Sequence, residues 1–277
     1  MSDAKRPESR EIHQVLTIHA PGRPAVHVCD DLAETAGPMV RAAMADRIRQ
    51  TGRCRLALSG GSTPAPLYAW LRDHVPRAWY DQLFVTWVDE RHLAEPTPHE
   101  PCDWRAFHAD SNLRLAYEHW LGAVPLAPSH VLPMSFGGAI GPQVVRFGRA
   151  FLSQFNGEVD VALLGAGPDG HVASLFPDHP GLAVHDVCFA VHDSPKPPPE
   201  RISLALPVLN RSAYTFVLAR GADKAAMLTA AYHGDSALPL TRLTPAGALH
   251  WVLERSAALG IVAAWSAEAP RRSHDQG

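Results

Sequence analysis

Residues 159–164 form an apolar run of strand length that halts at Gly165, and the next six residues hold two more glycines, a proline, Asp169 and His171. A buried strand that delivers a tight turn at its carboxyl end has this pattern, because glycine accepts positive φ and lets other groups approach the backbone closely. In open α/β sheets, ligands bind outside the carboxyl ends of the strands. The carboxylate of Asp169 and the imidazole of His171 are thereby placed for chemistry. The same residues would also serve an ordinary strand-to-helix turn in which Asp169 is a cap.

The pattern recurs upstream. Residues 55–58 read as a strand, followed by a Gly60-Gly61 turn, hydroxyls at Ser59, Ser62 and Thr63, and Pro64 in the first turn of a helix. Backbone N–H groups on such a turn, with hydroxyls and a helix start, suit an oxyanion such as phosphate. No Gly-Lys-Ser/Thr follows, and a full Gly-x-Gly-x-x-Gly is absent, so this is neither a Walker loop nor a dinucleotide fingerprint. A purely structural turn is the competing reading. Residues 83–88 form a third β-rich run, which ends at Asp89-Glu90-Arg91, either a solvated turn or charges gathered at a second strand's carboxyl end. In the stretch Asp193-Ser-Pro-Lys-Pro-Pro-Pro-Glu-Arg, prolines stiffen a loop that presents Lys196 and Arg201 at low entropic cost.

Around these motifs the chain alternates strands with helices. Strands are expected at residues 25–29, 187–191, 202–206, 213–218, 250–253 and 261–264, with a short one at Val131 and Leu132 and a turn at residues 207–210. A helix capped by Asp30 or Asp31 runs towards Gln50 and stops at Gly52, with Pro38 near its start. Further helices are expected at residues 65–74, with Leu67, Trp70 and Leu71 inward, and from Asp110-Ser-Asn to about Gly122, with Leu113, Tyr117, Trp120 and Leu121 inward. Residues 141–155 would bury Val144, Val145, Phe147, Phe151 and Leu152, and residues 223–232 complete the helices. This alternation argues for an α/β fold with a largely parallel sheet covered on both faces. No internal linker is visible in 277 residues, so one domain over residues 12–267 is expected, between mobile tails at 1–11 and 268–277.

Composition removes several function classes. A net charge of −3 gives no general attraction to nucleic acid or anionic lipid, so an anionic ligand must be caught locally. The four cysteines are scattered without a Cys-x-x-Cys pair, and the polar N-terminal segment lacks the apolar centre of a signal peptide. No apolar stretch is long enough to span a bilayer. These features predict a cytoplasmic protein with free thiols. None of the sixteen histidines falls in a metal-ligand cluster, so no metal is expected.

Together, Leu58-Ser-Gly-Gly-Ser-Thr-Pro, Val88-Asp-Glu-Arg, Asp110-Ser-Asn, Gly165-Ala-Gly-Pro-Asp-Gly-His-Val-Ala-Ser-Leu-Phe-Pro, Ser194-Pro-Lys-Pro-Pro-Pro-Glu-Arg-Ile and Leu206-Pro-Val-Leu-Asn closely resemble the 6-phosphogluconolactonases. The six motifs stand in the family's order. The resemblance implies the Rossmann-like three-layer sandwich shared with glucosamine-6-phosphate deaminases, without a nucleotide cofactor. Those deaminases typically carry Asp-Glu-Tyr where this chain has Asp89-Glu90-Arg91, and Phe-Asn-Glu-Pro where it has Ser174-Leu-Phe-Pro, so the chain looks like a lactonase. Ala65 stands where a basic residue is frequent, and the loop at residues 92–108 looks longer than usual.

The implied reaction is hydrolysis of 6-phospho-D-glucono-1,5-lactone to 6-phosphogluconate, in the oxidative pentose phosphate route, without cofactor or metal. An ordinary imidazole, with a pKa of about 6.5, is largely neutral at cytosolic pH and can take a proton from water. By family analogy that base is His171. Asp169 would orient water or bind a sugar hydroxyl, and Gly167 and Gly170 would free backbone N–H groups for the substrate. Arg91 would stabilise charge or contact phosphate, with Asp89 fixing it or the sugar hydroxyls. Ser59, Gly60, Gly61 and Thr63 would cradle the phosphate with Lys196 and Arg201. The rivals are a sugar-phosphate isomerase or deaminase and a non-catalytic phosphosugar sensor. The expected partner is the small phosphosugar lactone alone, on a monomer or small homo-oligomer.

Overall fold

Strands buried on both faces must be apolar along their whole length. The central strands of this chain meet that condition, and they set its topology. The computed structural model describes residues 15–93 and 101–268. Its strands are β1 (Leu16–Ile18), β2 (Ala25–Cys29), β3 (Cys54–Leu58), β4 (Leu83–Trp87), β5 (Asp89–Arg91), β6 (Val161–Gly165), β7 (Cys188–Val191), β8 (Arg201–Leu204), β9 (Tyr214–Ala219) and β10 (Ala248–Glu254). The helices are α1 (Leu32–Thr51), α2 (Ala65–His74), α3 (Asn112–His119), α4 (Ile140–Phe155), α5 (Leu206–Leu209), α6 (Ala225–Tyr232) and α7 (Leu259–Glu268).

Seven strands form one sheet in the order β1-β2-β10-β9-β6-β3-β4, parallel except for the edge strand β1. Every residue of β3 is buried, as are four of the five in β6. A second, antiparallel sheet has the order β5-β8-β7. The largely parallel sheet is therefore as expected, but residues 89–91, 188–191 and 201–204 belong to a different sheet. Val88 is the joint. Its N–H donates to Leu58 O in the first sheet at 2.8 Å, and its carbonyl accepts from Leu204 N in the second at 2.9 Å.

The helix signals act where they stand. Asp31 caps α1 by accepting from Glu34 N at 3.0 Å, and Gly52 closes it at φ 74° with its N–H on Ile48 O. Pro38 lies in the second turn of α1 rather than at its start. Ser111 caps α3. At the amino end of β6, Asp160 is 2% exposed and accepts from Arg55 N and Nε, both at 2.8 Å, from Arg55 Nη2 at 3.0 Å and from Arg47 Nε at 2.9 Å. These bonds pin α1, β3 and β6 together at the end of the sheet away from the strands' carboxyl termini.

Several expectations fail for identifiable reasons. Residues 261–264 lie in α7, which packs on α6; a four-residue apolar run carries no period that separates strand from helix. Val131 makes only an isolated bridge to Val85. Residues 207–210 are not a simple turn, because β8 ends at Leu204 and α5 begins at Leu206, where Pro207 fits a first helical turn. Val145 and Leu152 are 52% and 55% exposed. At 100° per residue both fall well off the stripe of Ile140, Phe147, Phe151 and Phe155 that α4 buries. The three-residue β1 was not foreseen. The tail expected at 1–11 and all of 268–277 except Glu268, the last residue of α7, lie outside the described residues, as does part of the loop at 92–108.

Candidate active site

The order of strands in the main sheet locates the site. From β3 the chain passes to β4 on one side and later to β6 on the other, so the loops leaving β3 and β6 diverge and open a crevice at their carboxyl ends. A cavity of about 370 Å³ occupies that crevice, lined by the loop after β3 (Ser59 to Thr63), the turn after β6, Asp89 and Arg91 of β5, Asn112, Lys196, Arg201 and Lys224.

No helix starts directly after β6. The turn folds back on itself, with Gly167 N donating to His171 O at 2.9 Å, Gly170 N to Gly167 O at 3.0 Å, and a bridge between Ala166 and Val172. Asp169 therefore caps nothing; its Oδ1 lies 2.5 Å from His171 Nδ1. An ionised carboxylate only accepts, so in the neutral ring Nδ1 carries the proton and Nε2 the lone pair. Burial alone would raise the carboxyl of Asp169, but the bond from His171 and the Lys196 ammonium 4.0 Å away outweigh it and hold the pKa at about 2. Gly167 makes this pair possible, since a Cβ there would lie 2.1 Å from the His171 ring and 2.6 Å from Asp169 Oδ1.

The depressed pKa gives a pH prediction. A carboxyl held below its usual 3.8 adds stability that is fully present above that value and is lost as pH falls towards 2. Urea midpoints measured from pH 5 to pH 2 should fall less steeply for Asp169→Asn than for wild type, and parallel curves would refute the linkage.

The three charges at residues 89–91 are not a solvated turn. As a strand they alternate in direction. Asp89 and Arg91 line the cavity, while buried Glu90 turns away to the start of α3. Its carboxylate accepts from Asn112 N (2.7 Å), Leu113 N (2.8 Å), Arg91 N (2.8 Å) and Ser111 Oγ (3.1 Å). Burial pushes its carboxyl up to about 7, against the pull of those backbone N–H groups. Asp89 is 6% exposed and accepts from Ser174 Oγ at 2.7 Å and Asn112 Nδ2 at 3.3 Å, with Arg201 Nη1 3.7 Å away. Arg91 donates to Asp110 O.

In the loop after β3, Gly61 has φ +83° and the buried Tyr68 hydroxyl donates to Ser59 O at 2.6 Å. The buried Oδ1 of Asn112 has no hydrogen-bond partner among the described residues. A Cβ on Gly60 would lie 1.7 Å from that oxygen. Gly60→Ala should therefore push the loop off Asn112 and lower stability by about 1–3 kcal/mol, the usual cost of overpacking; an unchanged urea midpoint would contradict this packing.

The chain matches the family model described as glucosamine-6-phosphate isomerases/6-phosphogluconolactonase over residues 28–251. It is 36% identical over 221 residues to a 6-phosphogluconolactonase of Rattus norvegicus, covering 75% of this chain and 80% of the rat protein. With one from Streptomyces coelicolor it shares 32% identity over 244 residues, 82% of this chain and 89% of the relative. The crystal structure of 6-phosphogluconolactonase from Leishmania guyanensis superposes with a TM-score of 0.71 at 28% identity, covering 86% of this chain and 98% of that one. This chain belongs to the glucosamine-6-phosphate isomerase/6-phosphogluconolactonase family.

In this family member, not every expected residue meets the cavity. Ser59, Gly60, Gly61, Thr63, Asp89, Arg91, His171, Lys196 and Arg201 line it. Gly170 does not. It adopts φ +79°, its Cα faces Leu238, and its carbonyl accepts from Leu240 N at 3.0 Å, so it shapes the turn. Asp169 also stands behind His171 rather than in the lining. Arg201 spends its guanidinium on the carbonyls of Lys196, Pro197 and Pro198 (3.1–3.3 Å), tying the proline loop to Asp89. Lys224 lines the cavity without having been singled out, and so does Asn112, which the Asp110-Ser-Asn motif included without a role. Lys224 follows β9 in a Gly-Ala-Asp-Lys stretch, the same strand-glycine-charge signal that marks β6. Burial lowers its pKa, as does Lys196 nearby. Among the described residues no cluster of three or more His, Cys, Asp or Glu could hold a metal ion, and no helix is long and apolar enough to cross a membrane.

Proposed function

We propose that this lactonase-family protein hydrolyses 6-phospho-D-glucono-1,5-lactone to 6-phospho-D-gluconate, with His171 as general base. The observation that carries this reading is the Asp169–His171 pair at the cavity wall, which leaves Nε2 as a free base there. His171 takes a proton from water as the water oxygen attacks the lactone carbonyl carbon. The tetrahedral oxyanion then collapses, the bond from the carbonyl carbon to the ring oxygen breaks, and the imidazolium returns its proton to that oxygen. Asp169 stabilises the imidazolium while it exists. The phosphate dianion is held by the Ser59 to Thr63 loop with Lys196 and Lys224. Arg91 faces the developing charge.

Moving a proton at carbon, as a deaminase would require, needs a carboxylate free to take it, whereas Ser174, Asn112 and Arg201 already engage Asp89. The reaction is assigned to the cytosol, in keeping with the free, buried thiols of Cys29, Cys54 and Cys188. The deciding experiment follows freshly generated lactone in buffer with chelator, with and without protein, beside glucosamine 6-phosphate. Faster lactone loss with no ammonia release supports the reading. Lactone decay at the spontaneous rate would end it.

A further inference from the structure

Glu90 is a buried acid beside the cavity that the proposed reaction leaves unused. It is 4% exposed, and donors engage both of its oxygens: Oε1 accepts from Arg91 N and Asn112 N, and Oε2 from Leu113 N and Ser111 Oγ. A carboxylate has about four acceptor sites, so each is taken. Two of the donors, Asn112 N and Leu113 N, are the first N–H groups of α3, which the helix cannot satisfy itself and whose dipole favours an anion. The anion thereby clamps the start of α3 to β5. Residues of the cavity depend on that clamp. Asn112 Nδ2 donates to Asp89 O at 2.8 Å and to Asp89 Oδ1 at 3.3 Å, Gly60 packs against the Asn112 amide, and Arg91 donates to Asp110 O just ahead of the helix.

A proton on Glu90 upsets this arrangement. Backbone N–H groups cannot accept, so the acid hydrogen must turn to Ser111 Oγ, which already accepts from Arg114 N at 3.2 Å. The neutral group also holds Leu113 N more weakly than the charged one does. The charged and titratable neighbours are Asp89 and Arg91 on the same strand, Arg201 on β8, and His108 ahead of α3. His92 is bonded to Ser135 Oγ and Gly138 O, and Asp110 is exposed. We propose that Glu90 is a positioning residue for lactone hydrolysis, its negative charge drawing α3 onto β5 and so setting Arg91, Asn112 and the Ser59 to Thr63 loop in place. The proposal rests on the lactonase reading of the cavity. Because burial pushes the Glu90 carboxyl up to about 7, the clamp is engaged above that pH and released as pH falls through it.

Two measurements test this. In nitrogen–proton correlation spectra of the wild-type chain, the Arg91, Asn112 and Leu113 amides should shift together with one midpoint at about 7. A glutamate carboxyl carbon should titrate with them and be missing from Glu90→Gln. In turnover, Glu90→Gln should lower kcat by about 10- to 100-fold at pH 8, the effect of a misplacement of about 1 Å. The ratio of wild type to variant should then shrink as pH falls towards 6. That ratio cancels the titration of the base and of the substrate phosphate, which the two proteins share. A residue needed only for stability would give folded protein whose ratio stays level with pH, and that result would overturn the proposal. So would Asn112 and Leu113 amides that do not move between pH 6 and pH 8. Absence of turnover by wild type strikes the lactonase reading instead, whereas the spectra need neither substrate nor a folded variant and judge the clamp itself.

Discussion

His171→Ala will slow enzymatic lactone hydrolysis by about 10²- to 10⁴-fold, the range general-base catalysis supplies, while leaving the fold intact. The fold is spared because the turn is held by the backbone: Gly167 N on His171 O and Gly170 N on Gly167 O survive loss of the ring. The measurement is turnover at saturating lactone corrected for the spontaneous rate. His171→Asn should do no better, since an amide keeps some of the polarity but cannot accept the proton. Asp169→Asn should fall between wild type and the alanine variant, because the amide no longer fixes the tautomer or balances the imidazolium. Near-wild-type turnover in His171→Ala would remove the imidazole from the mechanism and leave the cavity as a binding site only.

Asp160→Ala should lower stability by about 3–5 kcal/mol, the cost of stripping one partner from a buried ion pair. Asp160 and Arg55 are 2% and 6% exposed, and removing the carboxylate orphans the Arg55 N–H and Nε together with Arg47 Nε, while Arg55 Nη1 keeps Phe155 O. Glu158, 2.9 Å from Arg55 Nη2 but half exposed, retains part of the pairing, which places the loss at the lower end of that range. Arg47→Ala should cost less, since it removes a single bond from the same carboxylate. Urea unfolding decides the matter, and a shift worth under about 1 kcal/mol would mean the pair is neutral in the folded state. Because Asp160 stands at the opposite end of β6 from His171, the protein that remains folded should turn over lactone normally.

What the sequence revealed about the site is what a short window can encode. A strand that stops at glycine, followed by a carboxylate and an imidazole, is written in consecutive residues, and so is the hydroxyl-rich turn after β3. The resemblance of six ordered motifs then tied those windows to one family. Lys224 escaped because it reaches the cavity only when distant strands come together, although the glycine and lysine after β9 repeat a signal already read at β6; Asn112 stood in a quoted motif, but its contact with Asp89 is visible only in the fold. The division into two sheets escaped for a related reason. Residues 83–91 look like one run ending in charge, and only the bonds of Val88 to Leu58 and Leu204 reveal that the chain changes sheets there. The end of the chain was misread where a short apolar run, residues 261–264, carried no periodicity to identify α7.

The pleat of β5 carries a consequence for how such a protein can vary. Asp89 and Arg91 face the cavity and Glu90 faces α3 because side chains on a strand alternate, and Val88 alone separates this strand from β4. Gain or loss of one residue at that joint would reverse the parity, sending Glu90 into the cavity and two opposite charges into the helix cap. Length changes are therefore excluded at this joint, because the phase of a three-residue strand decides which charge meets the substrate.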